Sequence, residues 1–174
     1  MTKWKVILGI SLLAVAGLVA RQAVARESKT TLTAMDYVEI EQLYSHYNHY
    51  VDTGAGNGEK YANLFTPDGI FYTNLPGTGT VTGHKALAAL AAGAGSPPPV
   101  VKAAHHAVNI MIDPSPEGAT GAAYLLMVSS PSDGTSATGL SAVYHDTFVK
   151  TSEGWRFKTR TLNKVTPRKP KVTE

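Results

Sequence analysis

Ala104-His105-His106-Ala107-Val108-Asn109-Ile110-Met111-Ile112 is a β-prone run opened by two histidines, and the rest of the chain is best understood outward from it. Successive side chains of a strand point to opposite faces. His105, Ala107, Asn109 and Met111 therefore share one face, and His106, Val108, Ile110 and Ile112 share the other. One histidine faces inward, where an imidazole needs a partner and can act as acid or base near neutral pH. The apolar residues Val108, Ile110 and Ile112 fall on the His106 side, so parity alone leaves open which of the two faces inward. The candidate partner is Asp52, which closes an amphipathic helix 53 positions before His105. Two plainer readings compete: Asp52 as a helix-ending carboxylate in solvent, and His105 as a hydrogen-bonded core residue.

Downstream, strand-like runs at 103–113, 119–129, 138–150 and 154–164 are divided by Pro114-Ser115-Pro116-Glu117-Gly118, Pro131-Ser132-Asp133-Gly134 and Ser152-Glu153-Gly154. All three dividers are turn chemistry. Upstream, Thr33 with Asp36 three positions later resembles a capping box, with Asp in place of the usual Glu. Tyr37, Ile40, Leu43 or Tyr44, Tyr47 and Val51 then recur at helical spacing, which predicts a helix to about Val51. The glycines at 54, 56 and 58 end it. A short helix over Glu59–Phe65 is stopped by Pro67-Asp68-Gly69. Strands at 70–73 and 78–82 flank the turn Leu75-Pro76-Gly77, and a third helix covers His84–Ala92. Gly93-Ala94-Gly95-Ser96-Pro97-Pro98-Pro99 cannot be regular structure and is expected to be an extended loop able to gate a pocket.

Helices followed by a run of antiparallel hairpins predict an α+β fold. A strongly curved, mixed but mainly antiparallel sheet wrapped around the N-terminal helices forms a cone, and a cone is a natural pocket for a small molecule.

The ends read differently. Lys3 and Lys5, the 15-residue apolar or small run Val6–Ala20, and Ala23-Val24-Ala25 have the form of a secretory signal peptide over residues 1–25. That run is short for a membrane span, which needs about 20 residues. An uncleaved anchor is the alternative, and it would be the only membrane attachment. Residues 26–164 form the expected domain, and 165–174 a basic tail without fixed structure. Export to the periplasm or medium follows.

The absence of cysteine excludes disulfides, thiol nucleophiles and thiolate metal sites. Without the signal, 13 basic residues balance 13 acidic ones, and seven of the basic residues lie from Arg156 onward. No basic patch interleaved with aromatics appears, so nucleic acid is not an expected partner. No HxH or HExxH spacing, no Gly-x-Ser-x-Gly elbow and no strand–Gly-x-Gly-x-x-Gly–helix context occurs. Metal, serine-nucleophile and nucleotide sites are therefore not expected.

Several short motifs together resemble the SnoaL-like branch of the nuclear-transport-factor-two-like superfamily. They are Ile40-Glu41-Gln42-Leu43-Tyr44 through Asp52, Leu64-Phe65-Thr66-Pro67-Asp68, Thr82-Gly83, and His105-x-x-x-Asn109. Tyr144-x-Asp146 and Gly154-Trp155-Arg156-Phe157 with Arg160 complete the set. The resemblance implies a cone fold over residues 34–163. It implies a cofactor-free lyase or isomerase of the scytalone dehydratase or hexachlorocyclohexane dehydrochlorinase kind, or else a non-catalytic binding or assembly module. In the catalytic case Asp52 orients His105, His105 is the base, and Tyr72 polarises a substrate carbonyl or carries a water. Tyr47, Tyr50, Asn109 and Tyr144 are the expected contacts to a small, apolar, oxygenated molecule. The dehydratase's second histidine corresponds to Leu125 here, so its two-histidine arrangement is absent. His46 and His49 follow a solvent-facing helical spacing, and the direction of His145 is left open. The resemblance also implies a homodimer paired through the outer face of the sheet.

Overall fold

Thr33 begins the first helix as the sequence requires. In the computed structural model, which describes residues 31–94, 101–131 and 133–165, its hydroxyl accepts from the Asp36 amide at 3.2 Å. The Asp36 carboxylate in turn accepts from the Thr33 amide at 2.8 Å. This reciprocal cap starts α1, Ala34–Thr53. Gly54 ends it with φ 59°, and its N–H donates to the Tyr50 carbonyl. The helix runs two residues beyond the expected end, so Asp52 sits in its last turn. Ile40, Leu43, Tyr44 and Tyr47 are buried at the predicted spacing. The predicted signal segment, residues 95–100 of the predicted loop and residues 166–174 of the predicted tail lie outside the described residues.

A short helix α2, Glu59–Ala62, leads into β1, Phe65–Thr73. The strand starts five residues earlier than expected, because Phe65 already pairs with Phe157 before a register shift ahead of Ile70. After β2 (Thr80–Thr82) and α3 (His84–Ala94) come β3 (Val101–Ser115), β4 (Gly118–Pro131), β5 (Ala137–Thr151) and β6 (Gly154–Lys164). The six strands form one sheet in the order β2-β1-β6-β5-β4-β3. Among the described residues only β1 and β6 run parallel. The architecture is α+β with a curved open sheet closing over the helices, as the sequence predicts.

Two bulges set which residues face the helices. In β6 the pairing passes from Phe148 with Phe157 to Thr147 with Thr159, so Lys158 is extra. In β3 the register shifts between Val108 and Met111, and Asn109 adopts φ 53°. An extra residue in one strand moves every later side chain to the other face. Ala107, Ile110 and Ile112 consequently all pack against the core, although strict alternation would separate Ala107 from the two isoleucines.

Beneath the sheet, the core holds Leu87, Leu125, Phe148 and Phe157 with the α1 residues. Full burial of an aliphatic or aromatic side chain of this size contributes about 1.5–3 kcal/mol each. No helix among the described residues is long and apolar enough to cross a membrane.

Candidate functional site

The bulge in β3 answers what parity left open. His105 pairs with Met127, and Ala107 with Leu125, which is wholly buried beneath the sheet. His105 therefore lies on the core side with Ala107, and His106 is exposed on the outer side.

There His105 meets the end of α1. Asp52 Oδ1 lies 2.5 Å from His105 Nδ1, and Asp52 Oδ2 accepts the backbone N–H of His105 at 3.0 Å. One carboxylate thus grips both the ring and the main chain, which fixes the ring's position. A carboxylate only accepts, so the hydrogen of this bond sits on Nδ1 of the ring. Nε2 has no hydrogen-bond partner among the described residues. The two side chains are about one-fifth exposed (21% for His105 and 20% for Asp52), sheltered yet reachable. Asp52 also stands where the α1 carbonyl ends concentrate negative potential, with no basic residue in the last turn.

The other expected site residues separate from this pair. Tyr72 pairs with Thr161 and Thr80, is 40% exposed, and faces away from its neighbours Phe71 and Thr73, which are buried. It lies on the outer face of the sheet, so its expected role beside His105 is corrected. Asn109, as the positive-φ residue of the bulge, is also turned outward and exposed. Tyr50 stands two residues from Asp52, on the opposite flank of the helix. It stacks on His46 at 5.4 Å, with Lys60 Nζ 5.9 Å from its ring centroid. Tyr47 and Tyr144 do face the interior, but as core. Tyr47 accepts from Tyr61 at 3.3 Å, and its ring lies 5.7 Å from that of Tyr144. Burial pushes the hydroxyls of Tyr47, Tyr61 and Tyr144 above their usual pKa, so they remain neutral.

Deeper in the core, Arg160 is fully buried and holds Asp146 through two hydrogen bonds of 2.8 Å. Its guanidinium carbon lies 4.0 Å from the Tyr47 ring centroid, 4.1 Å from Tyr144 and 4.2 Å from Phe157. Burial opposes the charge, but the Asp146 carboxylate outweighs it and holds the guanidinium protonated. Leu125 is wholly buried, so no second histidine reaches the site through that position. His145 is exposed on the outer face, opposite the buried Tyr144 and Asp146. Among the described residues no three His, Asp or Glu side chains gather as a metal site.

The comparisons with known proteins agree with this architecture. The family model for the SnoaL-like domain matches residues 33–161, and the chain belongs to that family. A candidate scytalone dehydratase from Novosphingobium aromaticivorans is 27% identical, with a TM-score of 0.62 over 76% of this chain and 85% of its own. A protein of unknown function from Mycobacterium tuberculosis is 24% identical, with a TM-score of 0.65 over 75% of this chain and 72% of its own. ActVI-ORFA from Streptomyces coelicolor is 21% identical, with a TM-score of 0.62 over 72% of this chain and 94% of its own. The last two likenesses establish the fold alone. No curated protein sequence matches the chain.

Proposed function

We propose that this chain is an exported, cofactor-independent lyase or isomerase in which Asp52 and His105 abstract a proton from carbon. The observation that carries this is the two-point grip of Asp52 on His105, at 2.5 Å to Nδ1 and 3.0 Å to the backbone N–H. His105 Nε2 takes a proton from a carbon beside an electron-withdrawing group. The C–H electron pair then forms a double bond, either displacing a leaving group or shifting the neighbouring π pair onto oxygen. Asp52 stays ionised and stabilises the imidazolium. The substrate is a small, largely apolar, oxygenated molecule. The likeness to a candidate scytalone dehydratase supports the reaction class.

The test is nitrogen NMR of the histidine rings in the full chain and in Asp52→Asn. Wild-type His105 should hold its hydrogen on Nδ1, and the variant should redistribute it. An unchanged ring in Asp52→Asn, or full turnover by His105→Ala on a carbonyl or halide found in a substrate screen, would sink the dyad.

Leu125 and the outward Tyr72 favour a second reading, a binding or assembly module without chemistry. In that case ligand binding would survive His105→Ala unchanged.

We further propose a homodimer through the outer face of the sheet. Met111 is 63% exposed and Tyr124 51%, and Leu126 stands beside them. A shallow hollow of about 450 Å³ adjoins this patch, lined by Met111, Asp113, Thr120, His145, Thr159 and Thr161. Exposed methionine, tyrosine and leucine side chains grouped in this way are what interface cores show. Ultracentrifugation giving a monomer at micromolar concentration would refute pairing. Export is tested by sequencing the N-terminus of the chain recovered from its host.

A further inference from the structure

A hollow of about 740 Å³ shares no residue with the Asp52–His105 pair. Its volume falls in the range of small-molecule sites, about 300–1,000 Å³. One wall is the turn from β5 into β6, with Glu153 and Arg156. The other is the junction of α2 with β1 and the start of α3, with Asn63, Phe65, Pro67 and His84. The two walls are joined where the Phe157 N–H donates to the Leu64 carbonyl at 2.9 Å. His84 is held on its wall by a 2.9 Å bond between Nε2 and Asn63 Oδ1.

Arg156 is the permanent cation of this lining. Its Nη1 donates to two main-chain carbonyls, Glu153 at 3.1 Å and Trp155 at 2.9 Å, which fixes the guanidinium. The Nε–Nη2 edge remains, and its one contact among the described residues is Glu153 Oε2 at 3.4 Å. The Glu153 side chain is 81% exposed, and an ion pair with so exposed a partner contributes little. The same edge is filled in the core of this chain, where Arg160 holds Asp146 through Nε and Nη2 at 2.8 Å each. Arg156 is only 22% exposed, so it presents to the hollow a sheltered fork of the shape that fits a carboxylate.

We infer that this hollow binds a small organic carboxylate. The two carboxylate oxygens take the Nε–Nη2 edge of Arg156, and the apolar body of the ligand lies against Phe65 and Pro67. One fixed guanidinium matches a single negative charge on a planar pair of oxygens, whereas a phosphate dianion would keep a charge without a partner. Glu153 leaves Nη2 as the ligand arrives, and its exposed carboxylate returns to water. The site acts by binding alone and does not depend on the chemistry proposed for Asp52 and His105.

The experiment is a titration of the full chain with benzoate, followed by proton–nitrogen NMR of the backbone amides and the arginine Nε–H signals. The Arg156 Nε–H should shift saturably, together with the amides of Asn63, His84 and Ser152. Benzamide, the uncharged isostere, should not bind. Arg156→Gln should weaken benzoate at least about tenfold. Arg156→Lys, which keeps the charge and loses the fork, should not restore it. Glu153→Gln removes the competing like charge and should tighten benzoate about threefold. If inorganic phosphate displaces benzoate at equal concentration, the hollow selects charge and the carboxylate assignment is overturned. Equal binding of benzamide, or shifts centred on His105 with Arg156 unmoved, would overturn it too. Where the Arg156 variants fail to fold, Glu153→Gln decides, and binding no tighter than wild type counts against the site.

Discussion

Replacing Asp146 with Asn tests the core beneath the site more severely than any other single change. Both partners of the Asp146–Arg160 pair are wholly buried, with two hydrogen bonds of 2.8 Å between them. The Arg160 guanidinium is enclosed by Tyr44, Tyr47, Tyr144 and Phe157, none of which can neutralise it. Removing the carboxylate's charge leaves an uncompensated buried cation, which costs about 3–5 kcal/mol. Domains of this kind have total stabilities of about 5–15 kcal/mol. With a urea slope of about 2 kcal/mol/M, the midpoint should fall by roughly 2 M at unchanged slope. The double variant Asp146→Leu with Arg160→Met removes both charges and should recover most of that loss. Urea unfolding followed by tryptophan fluorescence measures wild type, Asp146→Asn, the double variant and its two single components, since Trp155 is buried. A loss below about 1 kcal/mol in Asp146→Asn, or a double variant as unstable as the summed single changes, would refute the picture of a charge held in place only by its partner.

Other consequences are equally direct. Asp36 accepts from Lys150 at 2.6 Å, from Thr33 and from Trp155 Nε1 at 2.8 Å, and these bonds hold its carboxyl well below the usual carboxylate range. A depressed carboxyl contributes stability above its unfolded pKa of 3.8, and that contribution is lost as pH falls through the folded value. The melting-temperature gap between wild type and Asp36→Asn should therefore be full at pH 7 and shrink below about pH 4; a gap that does not change with pH would contradict the network. Gly121→Ala would place a Cβ 2.6 Å from the Tyr44 hydroxyl and 2.8 Å from the Phe148 ring. It should cost about 1–3 kcal/mol by overpacking, read by thermal unfolding. Tyr72→Phe should leave turnover of a substrate found in the screen unchanged, because the phenol is on the outer face; a tenfold loss would return Tyr72 to the site.

Much of the architecture is legible locally. The Thr33–Asp36 cap, the 3.6-residue spacing of Ile40, Leu43 and Tyr47, and the turn chemistry between strands are short-range signals, and short-range chemistry expresses them. The Asp52–His105 pairing was proposed from two positions and a family resemblance, not from any local signal. Asp52 closes a helix and His105 opens a strand, but 53 residues separate them. Their meeting depends on how α1 lies across β3.

The direction of individual strand side chains was least legible, because it hangs on single insertions. Strict alternation puts His105 opposite the isoleucines of its own strand. One extra residue at the Asn109 bulge brings His105 and those isoleucines to the same side. Tyr72 was misplaced for a related reason, since its face is set by pairing with Thr161 across a parallel ladder and not by its own composition. By itself the sequence determined the elements, their order and the chemistry available, because these follow from local propensity and periodicity. Only the tertiary structure decided which side chains share a face and which pair, because register and bulges are set by strands and helices distant in the chain.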